Sequence, residues 1–307
     1  MSMPLAYLML LAVGAAWGAT TPLVKTATEI GHTAPAIALI HVLLNLVVIG
    51  VILAIRGRLG ALPRDSASIR LYVVVGLFGI ALPQWASYSA TTHLPAGVTV
   101  IIVSLVPVFA LPLSLALGAE RFNTRRLAGV ALGAIAIALL AAPGSGNLPA
   151  AGLWVWVLVA ALAPLFYAIE GAIVADRRAP RAGPFQTLWA ASVVALLVLA
   201  PIHLASAGPA GALHIPAARL DAIALAGLLS MAAYAGYIHM LRRHGAVFSA
   251  QVAYLVTGCG VAWAMLMLGE RYPPSVWLAL AALFAGLFLV QPRAQVLPRP
   301  ERHHAHS

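Results

Sequence analysis

Charge is what this chain has least of. Eight of its 307 residues are acidic and 8% in all carry charge, against about 25% in a soluble domain. A globule in water must cover most of its surface with polar groups, so a large soluble fold is excluded. Scarce acids also exclude chemistry that needs two carboxylates, or histidine and acid ligands, at helical spacing; no segment offers such a cluster. Cysteine is nearly missing: Cys259 stands alone, so no intrachain disulfide can form. There is no Gly-x4-Gly-Lys-Ser/Thr loop to cradle a nucleotide phosphate, which leaves a gradient as the driving force for any transport. No cofactor and no metal is expected. His303, His304 and His306 close a Pro- and Arg-rich tail that reads as a solvated end rather than a ligand set.

What the chain has in excess is apolar length. Hydrophobic residues make up 62% and mean hydropathy is +0.97. Ten runs are candidates for membrane-crossing helices: Pro4–Val24, Ala34–Ile55, Leu71–Ala90, Ala96–Leu117, Leu127–Ala142, Gly152–Val174, Gly183–Leu204, Leu220–Leu241, Val247–Leu268 and Pro273–Val290. A helix needs about 20 apolar residues to cross the hydrocarbon core. Barrel strands would alternate apolar and polar over roughly 10 residues, and these runs do not. The connections are short; Ala205–Arg219, with Gly208, Pro209, Gly211 and Pro216, reads as the longest loop. The first run lacks a basic n-region and is too long for a signal segment, so it is expected to be retained.

Net charge is +10, with an isoelectric point near 10.6. Nucleic-acid binding would gather that charge on one face, whereas here it is dispersed among short loops, so no nucleic-acid partner is expected. Basic residues in short loops stay cytoplasmic. Counting the N-terminus, the even-to-odd loops and the C-terminus as one side places fifteen of the 18 basic residues there. Lys25, Arg219 and Arg271 remain on the other. Both termini are therefore expected in the cytoplasm, in a cell (inner) membrane, with the lipid bilayer and a small-molecule substrate as partners.

Shifting the sequence by 150 residues brings Glu120-Arg121-Phe122 onto Glu270-Arg271-Tyr272, Ser104-Leu105-Val106 onto Tyr254-Leu255-Val256, and Trp17 onto Tyr167. Five spans per repeat is an odd number, so the second repeat enters the membrane from the opposite side. Inverted repeats of this kind underlie alternating access, with substrate bound near the midplane between them. The expected fold is an all-α integral membrane protein: ten transmembrane helices as two inverted five-helix repeats around a central cavity. Residues 1–146 form the first repeat, 147–292 the second, and 293–307 a disordered cytoplasmic tail.

Trp17-Gly18 with Lys25 ending the first run, Ala96 and Ser104-Leu105-Val106-Pro107-Val108 in the fourth, and the Leu-Gly-x-Glu-Arg end that follows resemble the drug/metabolite transporter superfamily. The likeness is to its ten-helix, EamA-type members and spans both halves. The chain departs from the pattern where Val256-Thr257 replaces Leu-x-Pro and where His41 stands for a frequent arginine. The resemblance implies a secondary transporter, most similar to bacterial aromatic and neutral amino-acid exporters. A multidrug or quaternary-amine exporter is the alternative, favoured by an acid at the cavity centre; a non-transporting receptor or scaffold is the reading from another class. An enzyme is not expected.

Polar and aromatic residues inside spanning helices are expensive unless they face protein or water, which makes each a site candidate. For substrate binding these are Trp17, Gln84, Tyr88, Ser104, Tyr167, Tyr234, Tyr237 and Tyr254. Gln84 and Tyr234, Ser87 and Tyr237, and Ser104 and Tyr254 coincide at the repeat offset. Such a stripe suits a solute with an apolar or aromatic body and a few hydrogen-bonding groups. Glu170, the one acid well inside a run, either couples protons or snorkels to Arg177 and Arg178. His41 either titrates or is a packed, hydrogen-bonded histidine, and Lys25 is either near an exit gate or anchored at the interface. Pro107 is a candidate hinge. Glu120 and Glu270 are expected to pair with arginines or cap the following helix. Gly14-x-x-x-Gly18 and Gly129-x-x-x-Gly133 let helices approach closely, and within a ten-helix bundle the second is expected to pack inside a monomer.

Overall fold

A computed structural model describes residues 3–118, 122–142, 152–174, 182–211, 218–249 and 251–290. Among them every regular element is helical. The first five spans are α1 (Met3–Thr28), α2 (Ala34–Ile55), a third built from α3 (Ser66–Val74) and α4 (Leu82–Thr91), a fourth built from α5 (Ala96–Val103) and α6 (Val106–Ala116), and α7 (Thr124–Ala141). The second five are α8 (Trp154–Val174), α9 (Pro184–Gly211), α10 (Leu220–Ser249), α11 (Val252–Leu268) and α12 (Pro274–Val290). Eight spans are long and apolar enough to cross a membrane; α11 and α12 are shorter apolar helices, 17 residues each, at the lower limit of about 17 for crossing.

Local chemistry sets the ends. Thr33, Asp65 and Asn123 cap α2, α3 and α7, each side-chain oxygen accepting a backbone N–H that the helix leaves free. The Ser68 hydroxyl and N–H both donate to Asp65 and hold its carboxyl below the usual carboxylate range. Gly118 and Gly269, closing the fourth and ninth spans, both have left-handed φ, +66° and +68°, which glycine adopts without a Cβ penalty. They are equivalent stops one residue out of step with the 150-residue offset.

Two spans are broken. Between α3 and α4 the chain runs through a π-helical stretch, Val75–Ala81. Pro83 follows it and lacks the N–H an α-helix would use, and Leu82 bonds back to Leu77 instead. Between α5 and α6 the helix tightens at Ser104-Leu105, where Leu105 bonds to Ile102 and Val108 to Leu105, just where Pro107 removes a donor.

The structure moves several boundaries. The third span begins at Ser66, because Asp65 caps it, rather than at Leu71. The residues read as the start of a loop, Ala205 to Gly211, continue α9; alanine and serine at 205–207 carry the helix on, and Gly208-Pro209 fall in its last turn. Val247–Ser249 belong to α10, and α11 starts only at Val252. Glu120 and Arg121, Arg177, Arg178 and Arg181, and the histidine tail lie outside the described residues.

Neighbours pair as two repeats require. α1 packs on α11 and α10, as its counterpart α8 packs on α5–α6 and α4. The contacts α2–α9, α5–α11 and α7–α12 map onto themselves, which places them on the pseudo-two-fold. Small residues permit the closest crossings. A Cβ on Gly129 would lie 2.7 Å from the Gly286 carbonyl, and Gly133 has Val108 in its place. The Gly129-x-x-x-Gly133 face is thus filled from within the bundle. Large apolar side chains such as Ile55, Leu197, Leu266 and Leu278 stay exposed, as a surface solvated by lipid requires.

Candidate substrate-binding site

Five helices from both halves bring one polar-aromatic chain together. It begins at His41 on α2, which is 3% exposed. Its Nε2 lies 2.9 Å from the Ile223 carbonyl of α10, which can only accept, so Nε2 carries the proton. Nδ1 then accepts from Tyr88 Oη of α4 at 2.8 Å, and the rings meet edge-on. Both ring nitrogens are occupied: His41 orients Tyr88 rather than presenting a free base. Tyr88's helix, α4, packs on α8, which carries Tyr167 and, one turn further along, Glu170. Tyr234 and Tyr237 lie one turn apart on α10, and the Tyr237 ring meets Trp17 of α1 at 5.7 Å.

Tyr88, Tyr167 and Glu170 are deeply set among protein atoms, yet each keeps accessible surface. Side chains that line an internal space combine these two properties. The carboxylate of Glu170 lies against the π-helical stretch: a Cβ built on Gly79 would fall 2.7 Å from its carboxyl carbon. The missing side chain at Gly79 is what makes room for the acid. The seat is therefore made by an irregular backbone segment and a glycine, and no spacing rule in the sequence pointed to it.

Other candidates go elsewhere. Ser104 is buried; its hydroxyl donates to Val100 O and joins the Thr257 hydroxyl at 2.6 Å. This link ties the break in the fourth span to α11. Tyr254 turns its ring to Phe284 of α12, 5.7 Å away, and packs on the cluster around α5, α7 and α12. Gln84 has a buried Oε1 unpartnered among the described residues. Ser87 and Thr20 bond back to their own helices. Pro107 sits at the α5–α6 break.

A second polar group closes one end of the bundle. Lys25 Nζ donates to the Thr91 and Leu94 carbonyls at the end of α4, at 2.9 and 3.2 Å. Glu270 does not cap α12. Its two oxygens accept from the Ala96 and Gly97 N–H groups at the start of α5, at 2.7 and 3.1 Å, and from the Tyr272 hydroxyl. Burial, and then this bond to Glu270, push the Tyr272 hydroxyl above its ordinary range. Between these ties the His93 ring stacks on Trp156 at 3.6 Å.

Replacing His41 with leucine keeps the volume and removes the Tyr88 anchor. A hydrogen bond of this kind contributes about 0.5–1.5 kcal/mol, so half-saturation should rise roughly 2–12-fold with little change in maximal flux. An unchanged half-saturation would show that Tyr88 needs no such support.

The halves, the internal polar chain and the lipid-facing surface define a multi-pass membrane transporter. The chain belongs to the EamA-like transporter family, which it matches over residues 4–142 and again over 154–291. The family resemblance read from Trp17-Gly18 and Ser104–Val108 thus holds for both halves. It is similar to the probable terminal-alkyne amino-acid exporter of Streptantibioticus cattleyicolor, at 25% identity over 279 residues, 90% of either chain. A crystal structure 19% identical superposes with a TM-score of 0.60 over 96% of this chain and 100% of the other, a likeness of fold.

Proposed function

We propose that the protein exports neutral and aromatic amino acids from the cytoplasm by alternating access between residues 1–146 and 147–292. The observation that carries this reading is that helices of both halves bring polar and aromatic side chains inward: His41 bonds Tyr88 and the Ile223 carbonyl, Tyr237 meets Trp17, and Tyr167, Glu170 and Tyr234 lie on the α8 and α10 that pack against α4, α1 and α2. Relative motion of the halves would make and break such a site. A relative named as an amino-acid exporter supports the substrate class. The fifteen-to-three distribution of basic residues supports cytoplasmic termini in the inner membrane. In that orientation the Lys25, Glu270 and His93 ties close the outer face. Glu170, four residues and about 6 Å of axial rise before the cytoplasmic end of α8, meets solute arriving from inside. The filled Gly129–Gly133 face supports a monomer, and no group here is given a catalytic role.

Removing Trp17 or Tyr234 takes away an aromatic wall and leaves the close glycine approaches of α1 to α11 at Gly14 and Gly18 in place. Trp17→Ala and Tyr234→Ala should each cut phenylalanine efflux from proteoliposomes about tenfold, with an unaltered gel-filtration profile. Wild-type flux from both variants would sink the site. A multidrug or quaternary-amine exporter is the second reading, supported by the Glu170 carboxylate lying against Gly79 of the third span. Absence of flux for any solute would leave a receptor or scaffold.

A further inference from the structure

We infer that Glu170 takes the ammonium group of the substrate, and that the described residues of the site offer no ionic partner for a substrate carboxylate. The inference rests on the amino-acid reading and makes it narrower: the ion that recognition requires is the cation.

The geometry is one-sided. Glu170 is a carboxylate set against the Gly79 backbone, one turn from Tyr167 on α8, and no ion pair or hydrogen bond engages it among the described residues. A carboxylate set so deep costs free energy unless a cation or a donor compensates it or the acid takes up a proton, which an arriving ammonium would displace. Tyrosine hydroxyls supply only neutral donors, so the pocket is electrostatically complete when a cation enters. The same tyrosines and Trp17 offer ring faces that attract a cation and cover the apolar body of the solute. For a carboxylate the reverse holds. Lys25 donates to Thr91 and Leu94 at the closed end, and His41 has both nitrogens engaged. Apart from His41, which bonds Tyr88, no basic side chain among the described residues bonds to or stacks on the chain that runs from Tyr88 to Trp17. Among the described residues, a substrate carboxylate would find hydroxyls and backbone and no counter-charge.

Two analogues separate the ends of an amino acid. Phenethylamine keeps the ammonium and the ring and lacks the carboxylate; N-acetylphenylalanine keeps the carboxylate and loses the cation. In proteoliposomes of the full-length chain, phenethylamine should compete with labelled phenylalanine within about threefold of phenylalanine itself. N-acetylphenylalanine should compete at least tenfold less well. Glu170→Gln should raise half-saturation for phenylalanine tenfold or more and erase the difference between the two analogues, whereas Glu170→Asp should keep part of it. Gly79→Ala, which displaces the carboxylate while leaving its charge, should act like Glu170→Gln. Because the analogue comparison is made on wild type, it stands whether or not a variant folds.

Equal competition by N-acetylphenylalanine, or none by phenethylamine, overturns the inference while phenylalanine flux keeps the exporter reading. Transport of phenethylamine without phenylalanine overturns the amino-acid reading and keeps the ammonium site. Transport of neither overturns both.

Discussion

Gly18→Val is expected to abolish assembly of the bundle. A Cβ at position 18 would lie 2.7 Å from the Gly260 nitrogen, 2.9 Å from the Val256 carbonyl oxygen and 3.2 Å from the Cys259 carbonyl carbon. These are backbone atoms of α11, so no side chain can swing aside to make room. Overpacking a core costs about 1–3 kcal/mol where neighbours can shift; here relief requires moving α1 off α11 along a crossing that joins the two halves. Gly14 sits one turn earlier against Leu255, so displacement at Gly18 also loosens that contact. Helix association in lipid depends on such close approach, since hydrocarbon solvates leucine as well as protein does. Gly18→Ala should already lower the melting temperature, and Gly18→Val should yield aggregate on extraction into mild detergent. Gly258→Ala supplies the control: it lies on the same α11, and nothing is within 4 Å of its Cβ. A monodisperse Gly18→Val protein with wild-type thermal stability would show that the crossing is not what holds α1 in place.

That crossing was half legible in the sequence. Gly14-x-x-x-Gly18 announced a close approach, but not to which helix, because partner choice is a property of the whole bundle. The ten spans were legible because apolar length is a local signal, and the duplication because Glu120 and Glu270 keep their register. Gly118 and Gly269 show the limit of that register: both turn left-handed, yet they lie 151 positions apart, so an ungapped offset hides their equivalence. In the site, Trp17, Tyr88, Tyr167, Tyr234, Tyr237 and Glu170 come together, as polar residues in a membrane interior should. Tyr254, read with them as an aromatic inside a spanning helix at the repeat offset, turns its ring to Phe284, because symmetry fixes depth but not the direction a side chain takes. The seat of Glu170 was unreadable. It depends on Gly79 being opposite, 91 positions away in sequence, on a stretch whose π-helical form follows from Pro83. The partner of Glu270 was misread for a similar reason: capping rules look along the chain, and the acid turns across it to α5.

Glu270→Ala is expected to open the outer face. The substitution strands the Ala96 and Gly97 N–H groups, releases the Tyr272 hydroxyl and removes a negative charge that Lys25 senses. Hydrogen bonds to a charged acceptor contribute about 1.5–3 kcal/mol each. With water able to replace part of that at a half-buried site, about 2 kcal/mol of closure should be lost. A two-state equilibrium biased by that amount shifts about thirtyfold. The bonds join a loop of the second half to a helix of the first, so they exist only while the halves meet on this side. On the proposed alternating-access reading, their loss should raise the population of the outward-facing state rather than unfold either half. A cysteine placed at Tyr88, in a chain whose Cys259 is replaced by alanine, reports this directly. An impermeant cationic thiol reagent added outside should label it at least tenfold faster when Glu270 is alanine. Glu270→Gln, which keeps a neutral acceptor, should fall between. Labelling at the wild-type rate in Glu270→Ala would mean that Lys25 and the His93–Trp156 stack close the outer face without it. Faster labelling together with slower efflux would mark reclosure as the step that Glu270 drives.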